Sequence, residues 1–507
     1  MENTKQIPFW MALFKVALHL PFLQHYGYHR DELLYLTLGR HLDWGYWSNP
    51  PLIGCLTWLQ QHLLGDALWI SRLVAALMGA ALVYLTGLLA AELGGGRKAQ
   101  FLACLGVIVS IVFLRTGGLL QPVPLDVFFW TLSFYFLVRF INRQKEVELW
   151  WLGLSLGLGL LTKYLIGLWI VGLLIATLLT PNRKLLKTRG PYLALGISLL
   201  LLLPNLIWQW AYDFPVVNHL SGLAENQLVH VRPFDFILEQ LLMPFMGTWL
   251  WLPGLIFLLG GRLLQPYRPL GWMALFVFVS LLLMGGKSYY TAGLFPMLFA
   301  AGGLVWEQIL RKSWQLAAFT GLLVLGTLPI LPTGMPVLKI DAALRYFNWL
   351  TYDMGIEGPV RWEDGHLHPL PQDFADMRGW DELAQLVEVA IEEAAVPYLI
   401  YCENYGQAAA VDLYGHGRGW TPVVSFSDTY RLWLPDCLPD GFGAFIYVND
   451  ELGEDVQAAF GDIQVIGILE DPYARERGTT VYLCREPKGF ETLMNERLRT
   501  IRATFGQ

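Results

Sequence analysis

The stretch "YHRDELLYLTLGRHLDWGYWSNPPL", residues 28–52, decides how the chain is read. It follows directly on an apolar run, Ile7 to Tyr26, of the length a spanning helix needs, about 20 mostly apolar residues. A dense group of ionisable and aromatic side chains therefore stands where the chain leaves the lipid. Within it Leu33, Leu34, Leu38 and Leu42 recur at helical spacing, and the following "GCLTWLQQHLL" repeats the pattern with Leu56, Leu59, Leu63 and Leu64. Two short amphipathic helices lying in the membrane interface are predicted. Trp44, Tyr46, Trp47 and Trp58 suit that depth, because their rings have an apolar body and a wet edge. Between the helices "SNPPL" is a rigid turn, since each proline fixes its own backbone and restricts its predecessor.

Composition agrees with a membrane reading. Of 507 residues 55% are hydrophobic and 15% charged, against roughly 25% charged in an ordinary soluble domain. Mean hydropathy is +0.43. The net charge of −7, with much of the acid beyond residue 350, argues against a nucleic-acid partner. The N-terminal run is too long for a signal peptide and no small-residue cleavage site follows it, so a retained first span is expected. Five cysteines are scattered without CxxC or Cys/His spacing, which supports neither a zinc site nor a redox motif and predicts unpaired thiols.

Apolar runs lie near 7–26, 69–92, 99–116, 124–141, 149–161, 165–180, 191–212, 234–260, 270–286, 291–309 and 315–332, which predicts about eleven spans. Basic residues fall in alternate loops: Arg97 and Lys98, Arg143 and Lys145, Arg183 with Lys184, Lys187 and Arg189, Arg262 and Arg268, and Arg311 with Lys312. The positive-inside rule places these loops, with Lys5 and the N-terminus, in the cytoplasm. The run from Leu149 to Thr180 is too long for one span and basic on both flanks, so it should go out and return, turning at Thr162, Lys163 and Tyr164. A lysine there is tolerable at an aqueous or protein-lined surface but costly in lipid.

With this topology the opening stretch, "QPVPLD" ending at Asp126, Lys163, the loop "DFPVVNHLSGLAENQLVHVRP" and "GKSYY" at 286–290 all face outward, as does the tail. From about residue 333 helix and strand patterns alternate: "WDELAQLVEVAIEEAA", "PYLIYC", "QAAAVDLYG", "PVVSF", "GAFIYVND", "ELGEDVQAAF", "DIQVIGIL" and "TTVYLC". They predict a small α/β domain with a mainly parallel sheet, whose loops "ENYG" and "SFSDTYRLW" lie at strand ends where such a sheet binds ligands. A purely structural domain is the equal alternative. GxGxxG and P-loop motifs are both missing.

Asp31 and Glu32 open the first predicted helix, and Asp126 precedes an apolar span. Ordinary capping explains each singly, since acids satisfy free N–H groups and the dipole at a helix start. Two acidic sites at outer ends of different spans, with cations near, point to a reaction in which a carboxylate acts as general base on an acceptor hydroxyl. Lys163, Arg232 and Lys287, each singly a snorkelling side chain, form with Tyr289 and Tyr290 a set suited to bind a phosphate by charge-assisted hydrogen bonds. His219 and His230 are weaker candidates for touching an acceptor or a divalent metal ion. Their separation is no ligand spacing, and solvated loop histidines are the commoner outcome.

"YHRDELLYLTLGRHLDWGYWSNPPL", "QPVPLDVFFW", "LGLGLLTKY" and "GKSYYTAGLFPMLFAAG", in that order, resemble the bacterial branch of the dolichyl-phosphate-mannose-protein mannosyltransferase family, which includes the lipid A aminoarabinose transferases. The tail resembles the C-terminal domain of a sub-branch without an assigned activity. The resemblance implies a C-type glycosyltransferase fold over residues 1–332, with its catalytic acid in the first outer loop, 27–68, and a periplasmic α/β domain over 333–507. It implies a polyprenyl-phosphate sugar as donor and a lipid, glycan or protein as acceptor, at the outer face of a bacterial inner membrane. Asp31 then matches the first acid of the family's Asp-Glu pair and Asp126 the second acidic position. Lys163 matches the lysine of the Thr-Lys turn, and Lys287 with Tyr289 or Tyr290 the lysine-tyrosine element near the donor phosphate. In one departure, relatives often carry a lysine directly before the Pro-Pro pair, where Asn49 stands here. A transporter or flippase of lipid-linked sugars is the alternative. Its sites would sit near mid-membrane in repeated halves, and only Lys15 and His19 of the first span are near that description.

Overall fold

The computed structural model describes residues 5–226 and 232–505. Contacts divide the chain into two units. Met1–Leu23, Trp69–Leu206 and Ser221–Val337 form the first, and Gln24–Leu68, Ile207–Leu220 and Leu338–Gln507 the second. Residues 24–68 thus cluster with the tail.

The first unit is helical. Six helices among the described residues are long and apolar enough to cross a membrane: Leu68–Glu92, Pro122–Arg143, Gly190–Ala211, Gln265–Leu283, Ser288–Ile309 and Ser313–Gly334. A seventh span is possible if Pro233–Leu242 and Phe245–Gly260, bent by 87° at their break, count as one. The remaining predicted spans are helical but short: Gln6–His19, Arg97–Val109, Glu146–Leu160 and Ile166–Leu178. The predicted out-and-back segment breaks between Leu160 and Ile166, around Thr162, Lys163 and Tyr164. The protein is a multi-pass membrane protein.

Small residues bring the central helices together. A Cβ on Gly302 would collide with the Leu250 carbonyl, and one on Gly254 with the Leu298 carbonyl. Lipid supplies no hydrophobic force between helices, so this close backbone approach is what lets them gain packing energy. It fixes the helix Phe295–Ile309, whose preceding turn, Ser288–Leu294, carries both candidate tyrosines.

Four of the basic loops assigned to one side of the membrane are bonded together. Arg143 pairs with Glu92, Tyr267 donates to Asn142 Oδ1 at 2.7 Å, and the Glu307 carboxylate accepts from the Gly96 N–H at 2.7 Å and the Lys98 N–H at 3.2 Å. Lys98 in turn donates to the carbonyls of Leu310 and Arg311 at 2.8 and 3.0 Å. Lys15 and His19, buried in the first span, bond backbone carbonyls instead of facing each other across a path. Lys15 Nζ donates to Phe113 O at 2.7 Å, and His19 Nε2 lies 3.1 Å from Leu114 O. They satisfy carbonyls at the end of the short helix Ile111–Thr116, where a broken helix leaves acceptors unpaired.

In the second unit five strands form one sheet: β1 Tyr398–Cys402, β2 Val423–Val424, β3 Ala444–Asn449, β4 Phe460–Ile468 and β5 Thr480–Pro487, in the order β2-β1-β3-β5-β4. The expected mainly parallel sheet is half right. β1 pairs parallel to β2 and β3, but β5 is antiparallel to both β3 and β4. A parallel pair needs a crossover of a dozen or more residues, usually a helix; the link from β4 to β5, residues 469–479, contains none. Helices Trp380–Ala394 and Tyr405–Gly415 lie where the pattern puts them, and Phe490–Ala503 is an addition. All five cysteines are unpaired.

Candidate active site

The first outer loop folds into the two expected helices, Arg30–Arg40 and Leu52–Leu63. They cross at Gly39, where a side chain would strike Thr57, and Thr57 Oγ1 donates to the Tyr35 carbonyl at 2.8 Å. Their predicted interfacial position needs correction for the first helix. Leu33, Leu34 and Leu38 are buried inside the second unit, because the helix packs along Tyr405–Gly415 of the tail. The second helix does keep an apolar face outside, with Trp58, Leu59, Leu63 and Leu64 exposed, as a lipid interface favours.

The start of Arg30–Arg40 is set by a capping box. His29 Nδ1 accepts from the Asp31 N–H at 3.1 Å, and Glu32 Oε2 accepts from the His29 N–H at 3.0 Å. Glu32 is fully buried, so the structure gives it a helix-capping role. Asp31, one position away and half-buried, instead reaches the tail: Tyr405 donates its hydroxyl to Asp31 Oδ1 at 2.9 Å. The Arg30 guanidinium lies over the Tyr405 ring, 4.4 Å from its centre.

The loops at the ends of β1 and β2, expected to bind a ligand, are occupied by the first outer loop itself. Ser48 Oγ donates to Asp428 Oδ1 at 3.0 Å, and Asn49 Nδ2 donates to Ser48 Oγ at 2.8 Å. His41 stacks on Trp433 at 4.2 Å and Arg431 lies 4.8 Å from the Trp47 ring. Asn49, standing where relatives often have lysine, is thus held in a hydrogen-bond chain that ends on the Asp428 carboxylate of the tail.

His29 carries a second set of contacts. Its Nε2 stands 3.9 Å from carboxylate oxygens of both Asp373 and Asp376, and Asp376 also meets Arg475 at 3.3 Å. The Asp31 N–H needs Nδ1 without its proton, while the carboxylates favour the imidazolium. A protonated ring has no free Nδ1 acceptor, so below its pKa the cap rests on the Glu32 bond to the His29 N–H. Burial pulls the imidazole pKa down, but Asp373, Asp31 and Asp376 together hold it up, at about 9. A pKa raised by folding contributes stability that is complete below the unfolded value, about 6.5, and is lost as pH rises through the folded value. The second unit should therefore lose roughly 3 kcal/mol between about pH 6.5 and 9. Thermal melting of wild type against His29→Gln checks this; parallel pH curves for the two would refute it.

In the first unit Asp126, near the start of helix Pro122–Arg143, is buried, and its Oδ1 accepts from Trp130 Nε1 at 3.1 Å. Trp130 packs against Gly293, where a Cβ would have no room, which ties Asp126 to the turn Ser288–Leu294. Gln240 fastens the same turn: Nε2 donates to Ser288 O at 3.3 Å and Oε1 accepts from Thr291 Oγ1 at 2.5 Å. Lys163 faces this turn, its Nζ 5.2 Å from the Tyr289 ring centre and 5.5 Å from that of Tyr290. Its charge also acts on the Asp126 carboxylate. Among the described residues no carboxylate lies within ion-pair distance of Lys163, which remains half-buried. Of the expected phosphate set, Lys163, Tyr289 and Tyr290 are brought together, with Asp126 near enough for its charge and that of Lys163 to interact.

Lys287, half-buried, directly precedes this turn. Arg232 is exposed at the residue before helix Pro233–Leu242. His219 belongs to the second unit, half-buried in helix Pro215–Asn226, and His230 lies outside the described residues. Among the described residues no group of three or more His, Cys, Asp or Glu side chains is arranged to hold a metal ion. Sequence reasoning missed Tyr405, although "ENYG" marked its loop, because nothing in a local pattern links it to residue 31.

Residues 48–208 match the family profile of dolichyl-phosphate-mannose-protein mannosyltransferase. Two structures of ArnT from Cupriavidus metallidurans superpose on nearly the whole chain. The one bound to undecaprenyl phosphate gives a TM-score of 0.60 at 14% identity, covering 93% of this chain and 96% of that one. The chain has the fold of ArnT. Against the apo form the TM-score is 0.61 at 16% identity, over 94% and 97% of the two chains. The ArnT-like fold agrees with the one that the motif resemblance implies. By sequence, the chain is similar to a lipid A galacturonosyltransferase, RgtD, from Rhizobium johnstonii, at 30% identity over 200 residues. That alignment spans 38% of this chain and 41% of the relative's length.

Proposed function

We propose that the protein is an inverting membrane glycosyltransferase of a bacterial inner membrane. It moves a hexosyl or pentosyl group from a polyprenyl-phosphate donor to a lipid, glycan or protein acceptor at the outer face. The observation that supports it best is Lys163: a half-buried cation beside two tyrosines, with no carboxylate within ion-pair distance among the described residues, on a fold shared with a protein whose structure is bound to undecaprenyl phosphate. A cation and phenol donors in one place suit a phosphate dianion. The about eleven spans, the outward tail and the cytoplasmic N-terminus belong to the same proposal.

In this reading Asp31 takes the proton of the acceptor hydroxyl as the acceptor oxygen bonds the anomeric carbon. The bond from that carbon to the phosphate oxygen breaks, and polyprenyl phosphate leaves with the electron pair. Lys163, with Tyr289, Tyr290, Lys287 and Arg232, stabilises the charge on the leaving phosphate, and Asp126 orders Lys163 through its own charge. The rival reading as a transporter loses its candidates, since Lys15 and His19 bond backbone carbonyls in a packed helix end.

Purified protein incubated with a panel of polyprenyl-phosphate sugars and an acceptor extract tests the proposal. Release of polyprenyl phosphate, read by mass spectrometry, is the expected result. A folded protein that releases none from any donor would sink the transferase reading.

A further inference from the structure

The proposed reaction uses an acid of the first outer loop, yet the side chain that touches this acid comes from the tail, 374 residues further on. The tail builds that contact with care. Asn404 caps helix Tyr405–Gly415: its Oδ1 accepts from the N–H groups of Gly406 and Gln407 at 2.9 and 3.0 Å. Asn404 Nδ2 and Gln407 Nε2 both donate to Glu476 Oε2, at 3.0 and 2.8 Å. Tyr405 is therefore the first helical residue after a cap fastened to the link between β4 and β5. Two consecutive residues of the opposite helix clasp it, Arg30 over its ring at 4.4 Å and Asp31 at its hydroxyl at 2.9 Å. Arg30 also contacts the cap, with Nη2 3.5 Å from Asn404 Oδ1. Burial and the Asp31 charge push the phenol well above its ordinary range, so it keeps its proton and donates.

A helix-start aspartate needs no such partner to cap a helix, and here Glu32 does the capping by accepting from the His29 N–H. We propose that Tyr405 is a positioning residue of the transfer reaction, its hydroxyl holding Asp31 Oδ1 so that the other carboxylate oxygen meets the acceptor hydroxyl. The inference rests on the reading of Asp31 as the base, and it gives the α/β tail a part in catalysis.

Tyr405→Phe removes one hydroxyl and keeps the ring that Arg30 covers. It should lower kcat about tenfold, the worth of one hydrogen bond to a charged group, with the KM for the donor and the melting temperature little changed. On an Asp31→Asn background the same change should add no further loss, since a residue that acts through Asp31 has nothing left to position. A folded Tyr405→Phe with wild-type kcat overturns the inference, as does a further tenfold loss on top of Asp31→Asn. If Tyr405→Phe folds poorly, a ring-fluorinated tyrosine at 405 keeps the shape and alters only donor strength; an unchanged kcat then overturns it. Full activity of Asp31→Asn marks failure of the functional reading itself. A dead Asp31→Asn beside a fully active Tyr405→Phe marks failure of this inference alone.

Discussion

Asp31→Asn is expected to lower turnover by about a hundredfold or more, the usual cost of removing a positioned general base, while the protein stays folded. Asn keeps the size of the side chain and an oxygen that still accepts from the Tyr405 hydroxyl, now at 2.9 Å. What it loses is the negative charge and the basic oxygen. Loss of charge at the helix start costs about 0.3–1 kcal/mol of stability, and the Glu32 bond to the His29 N–H is untouched. A merely structural Asp31 and a catalytic one therefore separate cleanly. The first predicts a small drop in melting temperature with turnover intact, and the second predicts the reverse. Polyprenyl phosphate release, measured beside thermal melting, distinguishes them. Glu32→Gln gives the contrasting pattern, a loss of stability at a buried cap ahead of any specific loss of rate.

Lys163→Gln should cut kcat/KM for the donor by roughly ten- to a hundredfold, the range for losing a hydrogen bond to a charged group. The effect should appear in donor KM as well as kcat, because the phosphate is bound before the sugar departs and carries more charge afterwards. Folding should suffer less. Lys163 lies beside two aromatic faces, contacts worth about 0.5–2 kcal/mol. Lys163→Arg should recover part of the loss, since it restores charge but not the compact ammonium. Donor titrations of the three proteins check this. Equal donor KM and kcat in all three would remove Lys163 from the phosphate site and leave it as a structural cation beside Asp126.

Much of the site was legible because it is written in short motifs. A lysine inside an apolar run is conspicuous wherever it stands, so Lys163 marked its turn from the sequence. "GKSYY" stood out for the same reason, and the structure places both of its tyrosine rings near that lysine. Glu32 could not be assigned from position alone, since an acid three residues after a capping side chain is equally a cap and a candidate base, and the structure shows its bond to the His29 N–H. The first outer helix was misplaced for a related reason. A leucine stripe at helical spacing states that one face is apolar, not whether lipid or protein covers it.

By itself the sequence determined the membrane class, the helix break around Lys163, the order of elements in the tail and the family resemblance. These follow from composition, periodicity and local motifs, which act over a few turns of chain. Tertiary structure alone decided that residues 24–68 cluster with the tail, that β5 runs antiparallel to β3, and that Tyr405 holds Asp31. Each of these joins residues distant in sequence, and such pairings are selected by which surfaces can be buried together with their polar groups satisfied, a condition that no local pattern contains.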